Sequence, residues 1–232
     1  MNTTREKHIR AGRYLKDMIY AANDGIVTTF AVVAATVGGA LSPAIILIVG
    51  IANLFADGFS MASGNYLGSR SENDFYAREE AEERREIREK PGEERVEIRD
   101  ILSRKGYEGK DLDLLLELIV SKEQMWVDLM MEEELGLHKS GHASPRHSAA
   151  LTLVSFIIAG SIPLLPYVIL GKSASFVLAA ASTGAALFAV GAGRSWFSRR
   201  SWILSGLEML FVGGSAAAIA YGIGFALRAI SS

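Results

Sequence analysis

Apolar residues in this chain are gathered into long runs rather than repeated at the period of one helix face. Four runs of 19 to 32 residues contain no charged side chain: 25–56, 147–171, 173–193 and 209–227. A helix that crosses a bilayer needs about 20 mainly apolar residues, so these runs predict membrane-spanning helices. The alternative is a soluble protein with five buried helices, but soluble helices usually keep a polar face.

The first run is too long for a single span, and it contains turn signals at Gly38-Gly39 and Ser42-Pro43. Pro163 and Pro166 are expected to bend or interrupt the third span, because each proline removes a backbone donor. The fold class predicted is therefore all-α, a polytopic membrane protein. Its five predicted transmembrane helices cover about 20–40, 43–68, 147–170, 174–194 and 201–227.

The distribution of charged residues indicates a hydrophilic insert between the second and third spans. Residues 72–139 hold 21 of the 26 acids and 12 of the 24 bases, a net charge of −9, and the rest of the chain carries +7. The predicted division is 1–70 with spans one and two, 71–141 as the acidic insert, and 142–232 with spans three to five. An insert of this sign gives no reason to expect a nucleic-acid partner, and the lack of cysteine leaves the compartment open.

Basic residues near the ends of the spans predict the orientation. Lys and Arg are frequent in the N-terminal segment and in the connection between spans four and five, whereas the other side has only Lys172 and Arg228. By the positive-inside rule, the N-terminus and the insert are cytoplasmic and the C-terminus is outside. No cleavable signal is predicted, because the first apolar run follows a charged start and continues into a second span.

Several side chains inside the spans are polar, and an unpaired carboxylate is costly there. Asp24 in span one and Glu208 in span five lie at a similar depth to the acid of span two, counted at about 1.5 Å per residue. Such acids usually mark an ion path or a proton relay; the alternative is that they only hold helices together. Span two repeats polar or soft side chains every four residues on one face: Asn53, Asp57, Met61 and Asn65.

This donor set also indicates which kind of ion the spans would favour. Carboxylate and amide oxygens with one thioether suit a borderline transition ion better than sodium or potassium. The composition of the stripe therefore predicts a transition-metal path and does not identify the metal.

The insert is predicted to contain three helices: a continuation of span two, a second helix after a break at Pro91-Gly92, and a third over about 112–137. Converging acidic faces would bind several divalent cations, and ordinary carboxyl pKa values near 4.3 would weaken that binding below about pH 5. The alternative is a solvated, salt-bridged hairpin, because arginines interleave with the acids. The acids that share faces are Glu79, Glu82, Glu83, Glu86, Glu94 and Glu97.

Five segments together resemble the vacuolar iron transporter family, in order from residue 23 to residue 224: NDGIVTTFAVVAA, ADGFSMASGNYLGSRSENDFYARE, WVDLMMEEELGL, IPLLPY and GLEMLFVGGSAAAIAYGIG. The resemblance implies a homodimer of five-span protomers in a lipid bilayer, which moves Fe²⁺ and often Mn²⁺ out of the cytosol in exchange for protons. It implies no resident cofactor and a cytoplasmic helical domain that collects metal. The compact chain fits a prokaryotic-type member in the cytoplasmic membrane.

The resemblance also assigns residues. Asp24 and Met61 match the aspartate and methionine of the family's first two spans. Asn53 stands where plant members carry a glutamate, and Asp57 replaces a small residue, so the acid has moved one turn along the same face. The positions that match the family's metal-binding domain are Glu83, Glu86, Glu94, Glu97, Met130 and Glu134.

Two functions from different classes follow. The first is a transporter, not an enzyme, in which metal gathers on the insert and crosses at Asp24, Asp57 and Met61, with Glu208 as a proton relay. The second is a membrane-tethered, ferritin-like ferroxidase that uses the acidic insert. Ferritin-like chemistry usually draws on Glu-x-x-His pairs, and the insert contains none. An enzyme would also leave the intramembrane acids unexplained.

Overall fold

A computed structural model describes residues 3–138, 144–198 and 200–231, and over these residues the chain forms helices and turns without a strand. The predicted all-α class is confirmed. The predicted boundary at residues 141 and 142 lies outside the described residues. The α-helices are α1 Thr3–Gly38, α2 Pro43–Glu89, α3 Pro91–Arg104, α4 Gly109–Val120, α5 Glu123–Glu133, α6 Pro145–Gly160, α7 Leu165–Leu170, α8 Phe176–Ser198 and α9 Trp202–Ser231.

Five stretches are long and apolar enough to cross a membrane: Tyr14–Gly38, Pro43–Glu89, Pro145–Leu170, Phe176–Ser195 and Trp202–Arg228. The five predicted spans are thus confirmed. Large apolar side chains lie on their surfaces; Phe59 is 68% exposed and Phe211 76% exposed. A soluble protein does not leave such continuous apolar faces in water. The chain is an integral, multi-pass membrane protein, and the soluble alternative is wrong.

The second of these helices is much longer than a membrane is thick. At 1.5 Å per residue, the 47 residues of α2 measure about 70 Å, against a hydrocarbon core of about 30 Å. Its uncharged residues, apart from Asp57, end at Ser69. Residues 70–89 of α2 therefore lie outside the hydrocarbon core.

The predicted turn and break are both confirmed. Helix α1 ends at Gly38 and α2 begins at Pro43, with Ala40 at a φ of 54° in the turn between them. In the third span, α6 ends at Gly160, a single 3₁₀ turn covers Ile162–Leu164, and α7 follows. The two prolines therefore interrupt the helix instead of only bending it.

The chain divides into two compact units: the membrane unit, Ala11–Leu67 with Ala143–Ser232, and the insert unit, Met1–Arg10 with Gly68–His142. In the membrane unit, helices meet backbone to backbone at glycines. A Cβ added to Gly25 would lie 2.6 Å from the carbonyl oxygen of Phe156, and one added to Gly160 would lie 2.8 Å from that of Gly25. A Cβ on Gly224 would collide with the carbonyl oxygen of Ala35.

Gly160→Ala and Gly224→Ala are therefore expected to destabilise the protein, because the added methyl meets a backbone atom that cannot rotate away. Overpacking of this kind typically costs about 1–3 kcal/mol. Gly64→Ala is the matched control, because nothing lies within 4 Å of its added Cβ. Thermal unfolding of the purified chain in detergent measures the difference. Equal midpoints for Gly160→Ala and Gly64→Ala would contradict the close contact of α1 with α6.

The insert unit packs the end of α2 with α3, α4 and α5 around an apolar core in which Ile98, Val127, Met130 and Met131 are fully buried. The predicted break at Pro91 is confirmed. The predicted third helix over 112–137 is wrong, because α4 ends at Val120 and α5 starts at Glu123. Lys122 is extended between them, and this break lets the apolar stripes of both helices reach one core.

Candidate metal sites

In the membrane unit, the stripe on α2 contains a hydrogen-bonded pair. The Asn53 amide Nδ2 donates to Oδ2 of Asp57 over 2.8 Å, one helical turn away, and both side chains are half-buried. A carboxylate has about four lone-pair sites. The bond therefore orients Asp57 and leaves acceptor capacity on its oxygens, and on Oδ1 of Asn53, for a cation or a proton.

Asp24 on α1 is also half-buried, and it lies near enough to Asp57 for the charge of that group to act on it. The Asp24 backbone carbonyl accepts a hydrogen bond from the Thr28 hydroxyl over 2.8 Å. Gly25, the next residue, lies against the α6 backbone. Two like charges in apolar surroundings repel, and a bound cation or a proton relieves that repulsion. Two of the acids selected from the sequence are thus within electrostatic reach of each other.

Two further members of the stripe continue along α2. Met61 is half-buried and packs against the apolar cluster that includes Leu54 and Phe156. The Asn65 amide Nδ2 donates to Oγ1 of Thr152 on α6 over 2.7 Å, and Thr152 is buried. Thr152 was missed from the sequence, where a hydroxyl in an apolar run was the only signal.

Glu208 is not brought to this pair. Its side chain is 54% exposed, and Oε2 lies 2.6 Å from Nη2 of Arg194. Asp57 is the charged group that acts on Asp24, and Glu208 is not among the groups that do. Depth along a helix located Glu208 correctly as an acid within span five, but depth carries no information about the face on which a side chain lies.

In the insert unit, two of the selected acids are buried. Glu83 is 3% exposed and Glu94 is 6% exposed, and the charge of Glu94 acts on Glu83. Oε1 of Glu83 and Oε2 of Glu94 have no hydrogen-bond partner among the described residues. A buried polar atom left unpaired costs about 1–3 kcal/mol. Two such atoms on neighbouring carboxyl groups point to a ligand that would satisfy them.

These two acids belong to a larger group of glutamates, which we call the carboxyl cluster: Glu83, Glu86, Glu94, Glu97 and Glu134. Burial, with the charges of Glu94 and Glu134, raises the pKa of Glu83 to about 8. Burial and the charge of Glu97 raise the pKa of Glu134 to about 7, although much of that side chain is exposed. At neutral pH the cluster therefore holds protons that a divalent ion would displace.

The remaining predicted ligands lie outside this cluster. Glu79 is ion-paired with Arg78, and Glu82 with Arg85, as the salt-bridged alternative anticipated. Met130 is fully buried in the apolar core of the insert unit. Within the described ranges, no three His, Cys, Asp or Glu side chains are close enough together to hold one metal ion.

The amino-acid sequence of this chain is similar to those of known proteins over nearly its whole length. The profile of the VIT family matches residues 15–225. Vacuolar iron transporter 1 of Arabidopsis thaliana is 35% identical over 217 residues, which cover 93% of this chain and 87% of that protein. Vacuolar iron transporter 1 of Eucalyptus grandis is 33% identical over 225 residues, 97% of this chain and 90% of that protein. The vacuolar iron transporter of Plasmodium berghei (strain Anka) is 32% identical over 233 residues, 96% of this chain and 85% of that protein.

Proposed function

Because this chain belongs to the VIT family, we propose that it is a membrane transporter that moves Fe²⁺ out of the cytosol. The observation that carries the proposal is the carboxyl pair of Asp24 and Asp57 inside two apolar spans. Two interacting acids at membrane depth are costly unless they serve an ion. Fe²⁺ is the substrate of the site, and Asn53 and Met61 add an amide oxygen and a thioether on the same face of α2.

Proton antiport is part of the proposal. A carboxyl group that releases Fe²⁺ on the far side can take up a proton there and return neutral, which removes the cost of moving an empty charged site through the membrane. Mn²⁺ is proposed as a second substrate, because its preference for oxygen ligands overlaps with that of Fe²⁺.

The carboxyl cluster is proposed to collect the metal before transport. Its buried, unpaired oxygens on Glu83 and Glu94 support this role. Oxygen ligands shared among several glutamates suit Fe²⁺ and Mn²⁺. Glu79, Glu82 and Met130 are proposed as secondary members, which would have to leave their present partners or the apolar core to reach an ion.

The proposal also includes the orientation of the chain, its membrane and its oligomeric state. The Lys and Arg distribution supports a cytoplasmic N-terminus and insert. The membrane proposed is the cytoplasmic membrane of a prokaryote, whereas several relatives are named vacuolar. The working unit is proposed to be a homodimer. The ferroxidase alternative is not favoured, because the relatives are named transporters and the insert lacks Glu-x-x-His.

Anaerobic uptake into proteoliposomes tests the proposal. Purified protein is reconstituted, Fe²⁺ is added outside, and uptake is measured with and without an imposed pH gradient by a dye trapped inside. We expect uptake that rises with an acidic interior and an opposite movement of protons. Iron uptake that ignores the gradient would contradict antiport, and oxidation of Fe²⁺ without uptake would restore the ferroxidase alternative.

Met61→Ala is expected to weaken Fe²⁺ transport more than Mn²⁺ transport, because the soft ligand is lost and the oxygen ligands remain. The measurement is the ratio of the two uptake rates in the same vesicles. Met125→Ala is the control, since Met125 is an exposed methionine of α5 that has no part in the proposed ion path. An unchanged ratio in Met61→Ala would exclude Met61 as a ligand.

A further inference from the structure

A cavity of about 340 Å³ in the membrane unit lies apart from the residues proposed to carry the iron. It lies between the first half of α1 and residues of α8 and α9. Its wall is mainly apolar, and two basic side chains stand beside it. The lining residues are Gly12, Leu15, Lys16, Ile19, Tyr20, Asn23, Arg194 and Met209.

The two basic residues lie at the same face of the membrane. Lys16 is two residues inside the span Tyr14–Gly38, and Arg194 is one residue before the end of the span Phe176–Ser195. Since successive spans alternate in direction, the start of the first span and the end of the fourth are on one side. That level is where lipid headgroups meet the hydrocarbon, and the positive-inside rule makes it the cytoplasmic side.

The charges of this cavity favour an anion. Lys16 is exposed and makes no ion pair with any other described residue. Arg194 contacts Glu208 through Nη2, which leaves other N–H donors of its guanidinium available. None of the described residues that line the cavity is an acid. Basic pockets between transmembrane helices on the cytoplasmic side are suited to acidic lipid headgroups.

We propose that this cavity binds an anionic phospholipid of the cytoplasmic leaflet. The headgroup phosphate lies between Lys16 and Arg194, and an acyl chain packs on Leu15, Ile19 and Met209. Glu208 weakens the binding of the lipid, because its carboxylate competes with the phosphate for Arg194. Asn23, which lines the cavity, directly precedes Asp24, so an occupied cavity braces the segment of α1 that presents the transport carboxyl.

Native mass spectrometry of the full chain in detergent tests the binding without any assumption about transport. The probes are dioctanoyl phosphatidylglycerol, dioctanoyl phosphatidylcholine and inorganic phosphate. We expect one phosphatidylglycerol per protomer to bind in preference to phosphatidylcholine and to resist displacement by phosphate, since phosphate has no chain to bury. Equal binding of the two lipids would overturn the proposal, and displacement by phosphate would make the cavity a simple anion site.

Three variants separate a specific site from general surface charge. Lys16→Gln should weaken phosphatidylglycerol binding about fivefold, from about 1 kcal/mol per basic residue near an anionic headgroup. Glu208→Gln should strengthen binding, because it frees Arg194. Arg146→Gln, an exposed base at the start of α6 outside the cavity, should change nothing. Weaker or unchanged binding in Glu208→Gln would overturn the competition that the geometry indicates.

A second copy of the chain is the alternative occupant, and the cysteine-free sequence allows a clean test. Tyr20→Cys places one thiol at the mouth of the cavity. Under mild oxidation we expect it to stay monomeric on denaturing gels and to be protected from alkylation by phosphatidylglycerol. Rapid disulfide-linked dimers would show that a second protomer, not a lipid, covers the cavity.

The proposed bracing of α1 by the lipid rests on the proposed transport function. It is measured separately, as the rate of Fe²⁺ uptake. Wild-type uptake of Fe²⁺ should be faster in vesicles that contain phosphatidylglycerol than in pure phosphatidylcholine, and Lys16→Gln should lose most of that gain. Lipid binding without a gain in uptake would remove the bracing role and leave the binding site. Failure of transport in every lipid would count against the proposed function alone.

Discussion

Proteoliposomes that carry Asp57→Asn or Asp24→Asn are expected to take up no Fe²⁺ above the level of protein-free vesicles. Asparagine keeps the size of the side chain and its hydrogen bonds, but it removes the negative charge and the exchangeable proton. An oxygen at position 57 can still accept from the Asn53 amide in either variant, so the local helix is preserved. What is lost is the pair of charges that compensates a divalent ion for its missing water inside the membrane.

The matched control for these variants is Asp17→Asn, on the same helix two turns before Asp24. It should transport normally, because Asp17 is outside the stripe and outside the pair. Size-exclusion profiles and thermal midpoints of all three proteins show whether they are folded. Near-normal, proton-coupled uptake by both Asp24→Asn and Asp57→Asn would exclude this pair as the path of the ion.

The second large effect is expected in the carboxyl cluster, where metal binding should depend on pH in the neutral range. Glu83 has a pKa of about 8 and Glu134 of about 7, so both release protons when a metal ion binds at pH 7. The apparent affinity for Mn²⁺ should rise as the pH increases through 7 and 8. An ordinary carboxyl value, used for the sequence alone, placed this transition near pH 5.

Calorimetry on the full chain in buffers of different ionisation enthalpy measures the released protons. Glu83→Gln and Glu94→Gln should each reduce the affinity by at least about tenfold, in the range found when groups that support a metal site are removed. Glu117→Gln is the control, because the Glu117 side chain is exposed, paired with Arg95 and outside the proposed metal ligands. A wild-type affinity that stays constant from pH 6 to pH 8 would rule out displacement of these protons.

The same pKa shift makes a prediction about stability without metal. The unfolded chain ionises Glu83 near 4.5, whereas the folded protein keeps the proton up to about pH 8. The folded state therefore binds more protons between these values, and its free energy of unfolding falls as the pH rises. In chelator, Glu83→Gln should unfold at a higher temperature than wild type at pH 8 and at a similar temperature near pH 4.5.

The membrane helices could be predicted because the length of an uncharged, apolar run is enough to identify a span. Uncharged runs about 20 residues long have to cross the bilayer, and Gly38-Gly39 and Pro163 locate the interruptions by backbone chemistry alone. The break between α4 and α5 has no such signal. Ser121 and Lys122 are acceptable in a helix, and the chain turns there because two apolar stripes then share one core.

The side-chain partners were harder to foresee, because they depend on which face of each helix meets which neighbour. Asp24 and Asp57 come together, whereas Glu208 turns to Arg194 at a comparable depth. Glu83 and Glu82 are adjacent in sequence, yet one is buried beside Glu94 and the other is paired with arginine in solvent. The charge pattern of the insert did not separate these neighbours.

The protons held by Glu83 and Glu134 also determine how strongly metal binding to the carboxyl cluster depends on salt. If one divalent ion displaces two protons, the net charge of the carboxyl cluster is the same before and after loading. Dissolved salt acts chiefly on those equilibria in which the net charge of an exposed site changes. Metal loading near pH 6, where both protons are in place, should then be nearly independent of added potassium chloride, whereas at pH 9, with the protons gone, salt should weaken it. The carboxyl cluster would then load metal equally well at low and at high ionic strength.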